Sequence, residues 1–68
     1  MTEVERIATR ALAKRLVSEL SGMPWYRSGN QKECAERTAE AIKRAARDTG
    51  LPAVWLKSFM LRIQRGEV

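Results

Sequence analysis

No histidine occurs anywhere in these 68 residues. That absence removes the Ser-His-Asp and Cys-His pairs, the His-ligated metal and the imidazole base together. The single cysteine, Cys34, has no internal disulfide partner, and a lone thiol predicts a reducing, cytoplasmic setting. Aromatic residues are scarce at 6%, confined to Trp25, Tyr26, Trp55 and Phe59. No stretch approaches the roughly 20 apolar residues that a bilayer span requires. None alternates with period two over a useful length, so strands are not expected. The opening Met-Thr-Glu-Val-Glu-Arg is charged and leads no apolar run, so it does not read as a signal peptide. There is no internal repeat, low-complexity tract or linker.

What is present is a globular composition, 44% apolar and 31% charged, with a formal charge of +5 and a pI near 10.2. The length predicts one domain spanning 1–68. A chain this short buries only about 60% of its unfolded surface, so a lone core is marginal. With no disulfide, metal or other cofactor expected to reinforce it, the chain is predicted to associate with itself, as a homodimer, or with a partner.

The punctuation predicts an all-α fold, a small bundle of three helices over about 3–20, 31–49 and 52–65. Thr2 and Glu5 have the spacing of a capping box, and Ser21, Gly22 and Pro24 give a stop. Met23 to Asn30 reads as a connector. Asn30 and Glu33 repeat the cap spacing, Gly50 ends the second helix, and Pro52 suits the first turn of the third, which Gly66 closes. On the second helix Cys34, Ala35, Thr38, Ala39, Ala41, Ile42, Ala45, Ala46 and Thr49 fill an arc of about 160°. Glu33 with Arg37, and Glu40 with Arg44, are expected i,i+4 pairs on the charged face. The small face needs large side chains from elsewhere. Trp55, Leu56, Phe59, Met60 and Ile63 of the third helix are expected to lie against it.

Two surfaces look unfinished. Val54 and Leu61, seven apart, point away from the main arc of the third helix and make either an ordinary exposed pair or a partner surface. On the first helix Val4, Ile7, Ala8 and Ala11 centre about 150° away from Leu12, Leu16, Val17 and Leu20. Either that helix wraps across the other two or its first half meets a second chain.

Catalytic and anion-binding candidates are weak. Glu36 and Glu40 share one face at i,i+4, but it is the charged exterior. Cys34 begins the second helix, where a dipole lowers a thiol pKa, yet it belongs to the small apolar face. Arg27, Ser28, Gly29 and Asn30 precede free N–H groups, an arrangement that capping alone requires. No enzyme is expected.

The basic excess is diffuse, with no segment carrying more than +2 of it. Rows do exist in projection: Arg6, Arg10 and Lys14; Lys43, Arg44 and Arg47; Lys57, Arg62 and Arg65. Gathered on one side, they would engage phosphates. The stretch from Ala45 to Phe59 also faintly resembles a helix-turn-helix unit, with Ala46, Gly50, Leu51, Leu56 and Phe59 at its small, turn and packing positions. The resemblance covers about a quarter of the chain and implies DNA reading by the third helix. The sequence departs from it in an apolar start, Pro52, Ala53 and Val54, where base-reading polar residues belong, and in an overlong preceding helix. Family membership does not follow.

The sequence therefore favours a small protein-binding regulator, an inhibitor or adaptor, with Trp25, Tyr26, Arg27, Val54 and Leu61 as contact residues. The alternative is a basic nucleic-acid-binding module using the nine Lys and Arg residues of the three rows. No membrane partner is expected.

Overall fold

The computed structural model describes residues 2–27 and 29–66, with the side chain of Arg27 outside the description. Three helices, α1 (Glu3–Ser21), α2 (Gln31–Thr49) and α3 (Ala53–Gln64), account for nearly all of it, with a single 3-10 turn at Pro24–Arg27 and no strand among the described residues. No helix is long and apolar enough to cross a membrane. The boundaries differ from the expected ones by a residue at three ends. Pro52 caps α3 from outside, with extended backbone at φ −67°, ψ 125°, instead of occupying its first turn.

Local chemistry explains each boundary. At α1 the Glu5 N–H donates to Thr2 Oγ1 at 3.1 Å, and the Thr2 N–H donates to a Glu5 carboxylate oxygen at 3.2 Å, a complete capping box. These bonds to Thr2 hold the Glu5 carboxyl below its ordinary value of 4.5. At α2 the Asn30 side chain accepts from the Glu33 N–H at 3.1 Å, while the Glu33 carboxylate takes the Arg37 guanidinium at 3.1 Å. The matching pair at Glu40 and Arg44 is not formed. Gly50 ends α2 in the left-handed region, φ 76°, with its N–H on the Ala46 carbonyl at 2.8 Å. The Thr49 hydroxyl ties the turn, donating to the Ala45 carbonyl at 2.7 Å and accepting from the Leu51 N–H at 3.3 Å.

The helices do not share their contacts equally. α3 lies chiefly on α1, touches α2 much less, and α1 and α2 barely meet. The result is a slab of about 36 × 25 × 16 Å. Ala13 and Leu20 of α1, Ile42 of α2, and Leu56, Phe59 and Met60 of α3 form the buried core. Buried Thr9 joins them, its hydroxyl satisfied by the Glu5 carbonyl at 2.6 Å.

This arrangement corrects the expectation that α3 covers the small face of α2. Burial stabilises in proportion to apolar area, about 25 cal/mol per Å². Leu12, Leu16, Val17 and Leu20 of α1 offer far more area than a row of alanines. Thr9 and Ala13, being small, let α3 approach α1 closely. Trp55, expected in the packed arc, is 44% exposed, its ring tilted 36° from Phe59 at 6.2 Å. The first half of α1 does not wrap over its neighbours either: Val4 and Ile7 are 77% and 61% exposed.

A candidate docking groove

Because α3 turns to α1, the small face of α2 is divided. Ala41 and Ala45 pack against the core, Ile42 is buried, and Ala35 and Ala39 remain exposed. The exposed part faces an open groove of about 1270 Å³ between α2 and α3. Ala35, Thr38, Ala39 and Ile42 line it from α2, and Ala53, Val54, Lys57, Met60 and Leu61 from α3. Where α1 and α3 finish, Val17, Ser21, Tyr26 and Gln64 line its end. Gln64 donates from Nε2 to the Tyr26 hydroxyl there, tying the connector to the last turn of α3.

Val54 is 80% exposed and Leu61 47%, and both stand on the lip of the groove. Their shared face was legible as an i,i+7 pair, but the small floor opposite them was assigned to the core. The signal that distinguishes the two was the mismatch in size between the leucine-bearing face of α1 and the alanines of α2.

The aromatic pair is split by function. Trp25 and Tyr26 meet edge to face, with centroids 5.9 Å apart and planes at 67°, and both pack against the core. Tyr26 reaches the groove. Trp25 instead lines a shallow concavity on the outer flank of α2, with Glu36, Arg37, Glu40 and Arg44, and the Arg37 guanidinium sits 5.8 Å from its ring centroid. Ala39 and Lys43 line both hollows and so form the ridge between them. Ser28 and the Arg27 side chain, parts of the expected anion and contact sites, lie outside the described residues. Of the rest of the anion site, Gly29 is exposed at φ 83° and lines the groove, and the Asn30 side chain caps the helix.

Two polar groups border the groove floor. Cys34 is half-buried, and its thiol donates weakly to the Tyr26 carbonyl, with the sulfur 3.9 Å from that oxygen. The Thr38 hydroxyl is buried with no hydrogen-bond partner among the described residues. A buried donor left unsatisfied costs about 1–3 kcal/mol. Replacing Thr38 by the isosteric Val is therefore expected to raise stability by about 1 kcal/mol, read as a melting temperature about 4–8 °C higher. Thr38→Ser keeps the hydroxyl and is expected to gain nothing.

The basic rows are distributed over several surfaces. Lys43 and Lys57 stand on the two walls of the groove. Arg44 opens to the outer concavity beside Glu36 and Glu40. The Arg62 guanidinium lies 5.7 Å from the Phe59 ring centroid, and helix geometry turns position 62 about 140° from position 57. Arg6, Arg10, Lys14 and Arg47 are exposed on their helices, Arg65 is exposed at the C-cap of α3, and none of them lines either hollow. The helix pair of the helix-turn-helix resemblance is present, joined at Gly50, but its members make only a minor contact with each other. No protein-family model, curated protein or solved structure matches this chain.

Proposed function

We propose that this chain is a small non-catalytic protein-binding regulator, an inhibitor or adaptor acting on a larger protein or complex in a reducing compartment. The observation that carries the reading is the open apolar groove with Val54 and Leu61 exposed on its lip. A monomeric surface gains nothing from holding two large aliphatic side chains beside a floor of alanines, whereas a partner that fills the floor buries both. Tyr26, Val54 and Leu61 are the contact residues, and Trp25 supports the end of the groove from the outer flank. Self-association belongs to the same reading, through Val4 and Ile7 at the exposed start of α1. Phosphate binding by the basic rows is the second reading, supported by net charge.

Affinity capture with the wild-type chain and with Leu61→Asp tests the proposal. Residue 61 is exposed, so the variant is expected to keep its helical circular dichroism and to lose the protein captured by the wild type. Equal capture by both overturns the assignment of Leu61. Anisotropy with unrelated DNA and RNA oligomers over a salt series tests the second reading: micromolar binding with a steep salt slope, unchanged in Leu61→Asp, would replace the first. Light scattering on the same samples reads self-association as a doubling of 7.7 kDa.

A further inference from the structure

Resting on that reading of the groove, we propose that its occupant is an acidic amphipathic helix of about three turns, carried by another protein. The argument begins with charge. Among the described residues that line the groove, the only ionisable cations are Lys43 and Lys57, and none is an Asp or Glu. One lysine stands on α2 and the other on α3, so they flank the apolar strip from opposite walls. Both are exposed, and neither makes an ion pair among the described residues. Of the α2 carboxylates beside the groove residues in sequence, Glu36 and Glu40 line the outer concavity across the ridge, and Glu33 is taken by Arg37. The groove is therefore positive on a chain already at +5, which selects an anionic partner and speeds its approach.

Shape selects a helix. Nothing along the groove offers a sheet edge: its walls are helices whose backbone bonds are already made. An extended segment would bring its own unpaired N–H and C=O groups onto an apolar floor, whereas a helix arrives with them satisfied. The floor of Ala35, Thr38 and Ala39 permits close approach of a helix bearing large apolar side chains. Gln31 and Lys43, twelve residues apart on α2, mark the run of the groove, about 18 Å or three helical turns. The fitting segment has Leu, Ile or Phe at i, i+4, i+7 and i+11, with Glu or Asp on both margins. A second copy of this chain fits poorly: the exposed apolar face at the start of its α1, Val4 and Ile7, carries Arg10 and Lys14 beside it against Glu3 alone, so it brings no net negative charge to the lysines.

The test uses a fluorescein-labelled designed peptide of about 16 residues, long enough to be partly helical, with leucines on one face and Glu on both margins. A twin carries Lys at every Glu position. The acidic peptide is expected to bind the wild-type chain and the basic twin is not. In the double variant Lys43→Glu/Lys57→Glu, both positions being exposed, acidic-peptide affinity is expected to fall about tenfold or more, with the basic twin now preferred. Leu61→Asp is expected to lose the acidic peptide, with circular dichroism confirming that each variant is folded. Equal binding of the twins to wild type overturns the inference. If Leu61→Asp still abolishes that binding, the groove reading stands without it. Failure of the acidic peptide to bind overturns the inference while leaving Leu61-dependent capture to decide the groove. Displacement of the acidic peptide by duplex DNA through sites indifferent to Leu61 overturns it in favour of phosphate, and a Leu61-dependent dimer that excludes the peptide overturns it in favour of a second copy.

Discussion

Leu56→Ala is expected to remove about half of the protein's stability. Leu56 is fully buried, 0% exposed, and it sits in the larger of the two helix interfaces, where α3 lies on α1. Truncating a buried leucine removes its transfer free energy and leaves a cavity that the surroundings refill only in part, at about 2–5 kcal/mol. A domain of this length holds roughly 3–10 kcal/mol in total. The loss is therefore a large fraction of the whole stability, and its measure is the urea midpoint of the variant by circular dichroism. Leu61→Ala, on the same helix but 47% exposed, is expected to shift that midpoint little. The pair separates two leucines that composition alone makes equivalent. A Leu56→Ala variant as stable as Leu61→Ala would mean that the α1–α3 interface is not where the core lies.

Some of this architecture could be read directly from the chain. The Thr2 and Glu5 spacing, Asn30 before Gln31, and Gly50 before Leu51 mark helix ends because caps depend on chemistry within four residues of each other. The shared direction of Val54 and Leu61 on α3 is likewise set locally by the helical period, whereas their exposure depends on how α2 packs. Which helix α3 chooses is a different kind of question. The small face of α2 and the leucine face of α1 both offer apolar surface, and the choice rests on how much area each buries with α3. Periodicity gives the direction of each face without ranking them, so the α3–α2 pairing expected from size complementarity gave way to the α3–α1 pairing. The groove is the direct consequence: it exists because the alanine face of α2 lost its expected cover. Thr9 is a second place where the local pattern misleads: a threonine at a core position looks polar, but its hydroxyl bonds back to the Glu5 carbonyl and the residue is fully buried.

Ile42→Ala is expected to release α2 while α1 and α3 keep their pairing. α2 spans 19 residues, yet Ile42 is its one buried residue, with Ala41 and Ala45 packed beside it. Its other ties are light: the stacking of Arg37 on Trp25, the Cys34 thiol on the Tyr26 carbonyl, and the turn at Gly50. Removing the isoleucine side chain costs about 2–5 kcal/mol where the helix is held, and that helix has little else to offset the loss. Hydrogen exchange reads the result helix by helix, since a local opening exposes the amides of one element without the others. Amides of α2 are expected to exchange about a hundredfold faster in the variant, with those of the α1–α3 interface changed much less, the loss amounting to roughly 3 kcal/mol. Uniform acceleration in all three helices would instead make the domain a single cooperative unit. The distinction bears on docking, because α2 is one wall of the groove. A wall held by one isoleucine adjusts its distance from α3 at low cost, so the groove can close on the side chains it receives. Saturating wild-type protein with a groove ligand is then expected to slow exchange in α2 more than in α1, since the ligand covers the exposed Ala35 and Ala39 and adds contacts to a helix held by few.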